Sequence, residues 1–429
     1  MGIANHQLYF QQDMRAPMAR LTLVYSGGGT QQEAEEKAGL ARATAKMLFR
    51  GTPAMNREVI SRKFELLGAE VNAHVSETDF VVSVSCFTKN VSIVLDLLLT
   101  IMNDADFPST ELELLKKNEL NQFDAALQDA ERVLSAGNQF VLYEGMRFGK
   151  IGSRKGIANI TREDVIEYFS KVRAASILFF TSISDLSKDV IGKQTERFAL
   201  GRPTNGFALK PEVQFKESRG REAFIINSDG ATNDRLIWSQ KGIEATDDRR
   251  FDLNLIVDAL GSFEGLLFDI LRNKNGWCYG AYAFITAATT RRGRIGFYSD
   301  PSLETSSLLI PELLRLLERF STEKDFQDRL SQRNAAFKNR YAYQLDLKYK
   351  LSSELNRDRY GIPILGRDAY NRRIDAVTQE SAQKVIREVF DARNLCMVFY
   401  GDATRIQKIL SGVDPSISVV VMDKESLVE

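Results

Sequence analysis

The chain is poor in the residues on which most metal and nucleophilic chemistry depends. Only two of its 429 residues are histidine, His6 and His74, and they lie far apart. Clustered imidazoles, the usual ligands of a catalytic zinc, are therefore nearly excluded. So is a serine or cysteine nucleophile served by histidine, since His6 sits near a terminus and His74 stands alone. Cys86, Cys278 and Cys396 are odd in number, widely spaced and set in apolar sequence. They read as reduced core thiols, forming neither a disulfide framework nor a metal site. There is no excess of one charge: 57 Lys and Arg balance 57 Asp and Glu, which argues against nucleic-acid and polybasic membrane binders. No run approaches the roughly 18 apolar residues of a membrane span. The start carries Asp13, Arg15 and Arg20 where a leader needs an apolar core. A cytoplasmic location is expected, or a periplasmic one if a leader has been removed.

What is present is ordinary globular material, 44% hydrophobic with nine prolines, enough for two or three domains. Strands are predicted at Leu8–Phe10 and Ala19–Tyr25, with a tight turn at Gly27–Gly29. Helices follow at Glu33–Arg50 and Asn56–Leu67, then strands at Val71–Val75 and Phe80–Ser85. An apolar helix covers Val91–Met102, and a long one starts with the cap signal at Phe107–Thr110 and reaches about Ser135. The order then recurs: strands at Phe224–Ile226 and Asp234–Gln240, helices at Asp247–Leu260 and Glu264–Leu271, strands at Tyr279–Thr286 and Arg294–Ser299, helices at Ser306–Phe320 and Lys324–Tyr343. Each half closes with a helix and a strand, Arg162–Val172 with Ile177–Ile183 and Gln379–Phe390 with Leu395–Phe399. Grouped helices between strand pairs predict an α+β fold of two homologous domains, 1–200 and 221–429, each a mixed sheet covered by helices. The Gly- and Pro-containing stretch 201–220 reads as the linker.

Residues 39–52 run Gly-Leu-Ala-Arg-Ala-Thr-Ala-Lys-Met-Leu-Phe-Arg-Gly-Thr. This resembles the signature helix of the pitrilysin/insulinase metallopeptidases, above all the mitochondrial-processing-peptidase-like branch, where the segment reads Gly-x-Ala-His-x-x-Glu-His-Met-Leu-Phe-x-Gly-Thr. In that family two histidines one helical turn apart bind zinc and the glutamate between them is the general base. Here the three positions are Arg42, Ala45 and Lys46, and the distant glutamate ligand falls near Gln122, between Glu119 and Asp124. Two cations in place of imidazoles would repel a zinc ion, so no metal and no other cofactor is expected on this chain. The resemblance extends to residues 66–76 and 160–165 and implies two homologous domains forming half of a clamshell.

In the second half, Gly261–Tyr279 resembles the family segment Ser-Arg-Leu-Phe-x-x-Leu-Arg-Glu-x-x-Gly-x-x-Tyr, with Arg272 and Tyr279 seven residues apart and Leu266 and Asn273 departing from it. By this resemblance Arg272 and Tyr279 hold the substrate carbonyl and stabilise its oxyanion across a chamber, acting on zinc bound by the other half. The donor types suit the task, a permanent guanidinium charge and a neutral phenol. A chain without the metal site but with these donors resembles one subunit of bacterial two-chain peptidases. It implies a heterodimer in which a homologous partner bears the zinc and cuts an extended peptide. The alternative is a structural or peptide-binding subunit, like the core subunits of the respiratory bc1 complex or a chaperone. The Arg291–Arg294 cluster reads as a solvated hairpin, with contact to an acidic substrate as the alternative.

Overall fold

The structure is a computed structural model in which residues 5–143, 149–175, 177–199, 205–207, 220–228, 230–286, 292–344 and 347–429 are described. The chain forms two compact units that interleave in sequence. Unit 1 comprises Met1–Phe123, Gly152–Pro211 and Asp346–Asn356, and unit 2 comprises Asp124–Ile151, Glu212–Leu345 and Arg357–Glu429. Most of the expected linker lies outside the described residues. Each unit is a mixed sheet with helices, so the fold is α+β.

In unit 1 the strand order is Asn5–Gln12, Ile177–Ser184, Met18–Ser26, Asp79–Phe87, Glu70–Val75. The first pair is parallel and the others antiparallel. Alternation sends Leu21, Leu23, Val82, Val84, Leu178 and Phe180 to one face, where all are buried. The rings and thioether that meet this face come from the expected helices: Phe169 lies 6.0 Å from Phe80, and the Tyr25 hydroxyl reaches the Met102 sulfur. On the other face Tyr9, Val24 and Phe179 pack against Leu351 and Leu355. Those two leucines belong to the helix Leu347–Tyr360, from the far half of the sequence. The glycine turn is held by contact. A Cβ on Gly29 would stand 2.4 Å from the Glu77 carbonyl oxygen, and the Tyr168 hydroxyl donates to the Gly29 carbonyl.

The sheet of unit 2 runs Cys278–Thr286, Arg294–Pro301, Arg235–Lys241, Cys396–Gly401, Glu222–Asn227, Ser418–Met422. Its core gathers Trp238, Phe297, Phe399, Ile256, Leu313 and Leu317. Its opposite face takes the helix Ala130–Leu142, which comes from the first half. This helix was expected to continue the one before it. The chain breaks instead at Asp129, whose carboxylate accepts the amides of Glu131 and Arg132 and caps a new helix after Ser109–Gln128. Helices Lys188–Ala199, Arg367–Asp375 and Ala403–Val413 and the strand Ser418–Met422 add to the expected elements. The strand escaped notice because Val420 and Val421 are both exposed, which removes any alternation. All three cysteines are free and buried, and burial raises the Cys86 thiol to about 11 and Cys396 to about 12.

Candidate functional site

Arg272 and Tyr279 each sit on a local break in regular backbone. The segment Phe268–Lys274 is a turn of π-helix, a rare widening of the helical ladder that recurs at functional sites. It ends at Gly276, whose φ of 66° favours glycine. Tyr279 follows on the edge strand, where Cys278 pairs with Pro301 but Ala281 pairs with Ser299. Three steps on one strand therefore face two on the other, which is a β-bulge. Such a bulge re-aims a side chain, and Tyr279 points to solvent with 76% of its surface exposed.

The bulge is pinned from the neighbouring strand. The Gly280 amide donates to Asp300 Oδ1 at 2.7 Å, and the Ser299 hydroxyl donates to the Gly280 carbonyl at 2.9 Å. Burial raises the Asp300 carboxyl above its ordinary range, against the opposing effect of the amides it accepts. Arg272 is in turn fixed to the bulge: its Nε donates to the Tyr279 carbonyl at 2.8 Å. The guanidinium lies 5.3 Å from the Phe268 ring centre and 5.7 Å from that of Tyr279. Its Nη groups have no protein partner among the described residues. The structure thus presents a fixed cation with uncommitted donors beside an exposed phenol. Asp300 and Ser299 were missed from sequence, although a glycine inside a strand, Gly280, is the usual mark of a bulge.

The helix that would carry zinc ligands, Leu40–Met47, is well formed. Glu33 accepts the amides of Gly39 and Ala41 at its start, and Ala41, Ala45 and Met47 are buried. Arg42 is exposed. Lys46 turns to the helix Ser109–Gln128 and forms an ion pair with Glu119, whose side chain is 5% exposed. Glu119 lies one turn before Gln122, and both line a cavity of about 320 Å³ with Ala45, Lys46, Phe49 and Asn72. Glu119 is the carboxylate that faces the former metal position, while Phe123 is buried in the core. The sequence placed Glu119 beside the expected ligand position without a role; helical spacing of three from Gln122 puts both on one face. The residues present do not fit a zinc ion. Among the described residues, the one carboxylate lining this cavity is already taken by an ammonium, and no group of three or more His, Cys, Asp or Glu could hold a metal. His74 lies exposed on the edge strand Glu70–Val75, and His6 lies in the strand Asn5–Gln12.

Arg291 lies outside the described residues. Arg294, expected in a solvated hairpin, instead donates to Asn138 and lies 5.0 Å from the Phe284 ring centre.

Two α+β units, one with a metallopeptidase-type helix stripped of ligands and the other with paired donors, define a peptidase-like class of protein. The chain belongs to the insulinase family of peptidases, family M16. Residues 10–141 match the family described as "Insulinase (Peptidase family M16)" and residues 159–332 match "Peptidase M16 inactive domain". Among relatives, the "Uncharacterized zinc protease YmxG" of Bacillus subtilis is 21% identical over 86% of this chain and 89% of its own. The "Probable mitochondrial-processing peptidase subunit beta" of Schizosaccharomyces pombe is 23% identical, and the match covers 48% of each chain. Among solved structures, a peptidase M16 inactive domain from Pseudomonas fluorescens superposes with a TM-score of 0.81 at 19% identity, over 93% of this chain and 96% of that one. The periplasmic protease PqqL of Escherichia coli gives 0.73 at 17% identity, over 96% of this chain and half of that one. No helix among the described residues is long and apolar enough to cross a membrane.

Proposed function

We propose that this chain is the zinc-free subunit of a two-chain zinc peptidase, and that it supplies Arg272 and Tyr279 to an active site whose metal is held by a homologous partner. The observation that carries this reading is the pairing of two backbone irregularities, the π-turn and the bulge, which leave the Arg272 Nη donors and the Tyr279 hydroxyl uncommitted. Both kinds of irregularity are enriched at functional sites, which favours this reading over a scaffold. The partner's zinc would supply an activated water. This chain would bind the scissile carbonyl oxygen: the guanidinium donates as negative charge grows there, and the phenol adds a neutral donor. Because the guanidinium is tied to the bulge before substrate arrives, little reorganisation of that donor opposes the rise in charge.

The test is to mix the chain with a zinc-bearing homologue from the same genome and follow cleavage of a quenched fluorescent peptide. Arg272→Ala is expected to lower kcat/KM by about 10²–10³, the usual loss on removing one oxyanion donor, with Tyr279→Phe a smaller loss. Zinc analysis should find metal in the partner alone. An active mixture indifferent to both substitutions would overturn the donor roles, and a stable mixture without activity would favour a structural subunit. We place the pair in the cytoplasm, in keeping with three buried reduced thiols; recovery by osmotic shock would move it to the periplasm.

A further inference from the structure

The peptide unit that joins Tyr279 to Gly280 is held from both ends. Its N–H donates to Asp300 Oδ1 at 2.7 Å, and its carbonyl accepts from Arg272 Nε at 2.8 Å. A trans peptide points these two groups in opposite directions, so carboxyl, peptide and guanidinium form one series of hydrogen bonds. Bonds in series polarise one another: the N–H drawn to Asp300 makes the Tyr279 carbonyl a better acceptor for Arg272. The next peptide unit is gripped too, since the Ser299 hydroxyl donates to the Gly280 carbonyl. Close approach requires glycine between them, because a Cβ on Gly280 would overlap the Tyr282 ring.

Asp300 also differs from the structural aspartates of its own unit. A carboxyl taken out of water normally offsets that cost with a cation. Asp234, Asp252 and Asp258 are buried, and each holds an arginine: Arg405, Arg373 and Arg333 respectively. Asp300 is half-buried and makes no ion pair among the described residues. Arg235 attracts it from the neighbouring strand without reaching it, and its hydrogen bonding goes to the backbone of the bulge.

We propose that Asp300 is a positioning residue for the oxyanion donor: acting through the Tyr279–Gly280 peptide, it fixes the Nε edge of Arg272 and so reserves the Nη groups for substrate. This rests on the donor role proposed for Arg272. Without the tether the long side chain regains rotamer freedom, and that freedom must be lost again each time the donor meets a growing negative charge.

Proton exchange at Arg272 Nε, read by NMR on the full chain carrying isotope-labelled arginine, tests the tether without any partner; Arg272→Lys assigns the signal. Asp300→Ala is expected to speed that exchange about tenfold, and Asp300→Asn, whose side-chain carbonyl still accepts the Gly280 amide, to stay within about twofold of the parent. Arg333 Nε, which donates to Asp258 at 2.7 Å, is the internal control and should not change. In the mixture with the zinc-bearing homologue, Asp300→Ala should lower kcat about tenfold with KM little changed, and should cost less than about twofold more once Arg272→Ala is present. Exchange at Arg272 that Asp300→Ala leaves unchanged, loss of protection at Arg333 as well, or an Asn variant as impaired as the Ala variant would each overturn the proposal. So would losses that multiply in the double variant. A parent mixture without activity would overturn the donor reading instead, while faster exchange in Asp300→Ala would still establish the tether.

Discussion

Both sheets are roofed on one face by a helix drawn from the other half of the sequence, and the two roofs fit differently. In unit 2 the helix Ala130–Leu142 sets Asn138, fully buried, against the strand Arg235–Lys241. Its amide donates to Ser239 Oγ at 2.8 Å and to the Ile237 carbonyl at 3.3 Å, and its carbonyl accepts from Ser239 and Arg294. The Asn138 amide and the Ser239 hydroxyl are thus matched to one another and to the strand, which closes the joint at that point. In unit 1 the equivalent helix touches the sheet through Leu351 and Leu355 and leaves Thr22, Ser83 and Thr181 facing a cavity. One architecture thus yields a sealed joint where polar groups are matched by the roof and an open one where they are not. A second contrast follows the same line. The former metal position of unit 1 is closed by its own ion pair, while the Arg272 Nη donors of unit 2 have no protein partner among the described residues.

The sharpest way to break the comparison is to open the sealed joint. Asn138→Ala strands the Ser239 hydroxyl and removes an acceptor from Arg294, and should cost about 2–3 kcal/mol. Thr22→Val should stay within about 0.5 kcal/mol. Urea midpoints measure both, and equal losses would mean that the two roofs do not differ. Next in size is Lys46→Met, which leaves the Glu119 carboxylate buried without its cation. Because the Lys46 side chain is 38% exposed, solvent screening reduces the expected loss to about 1 kcal/mol. Thermal melting of this variant with no change in Tm would show that the pair does not hold the metal position shut. The smallest effect concerns the bulge. The folded state raises the Asp300 carboxyl above its ordinary 3.8, so it favours the protonated acid. That contribution is complete below 3.8 and fades as pH rises through the higher folded value. The stability of Asp300→Asn relative to the parent should therefore improve with pH across that window, and a flat difference would refute the assignment.

Much of this was legible from residue pattern. Period-two alternation located Met18–Ser26 and Asp79–Phe87 because each buries one face completely, and the recurring order of elements announced two similar sheets. The Arg272 and Tyr279 pair was legible through its spacing in a longer matching segment. The roofs were not. Within Leu347–Tyr360 three leucines recur four apart, Leu347, Leu351 and Leu355, set among charged and polar residues, and the sequence carries no sign of which sheet they cover. The bulge was hidden as well, since its register depends on Asp300 and Ser299, twenty residues on and visible only once the strands are paired. Glu119 drew no role because the ion pair it forms depends on how two helices lie side by side.

The exchange of roofs also sets an order of events during synthesis. The helix Ala130–Leu142 is made before any strand of the sheet it will cover, so it must wait as an amphipathic segment without a surface. The sheet of unit 1 has the opposite problem. Its last strand, Ile177–Ser184, leaves the ribosome on the order of ten seconds before Leu351 and Leu355 at translation rates of about 5–20 residues per second. During that interval Tyr9, Val24 and Phe179 are uncovered in the nascent chain, and neither half can finish folding until most of the other has been translated.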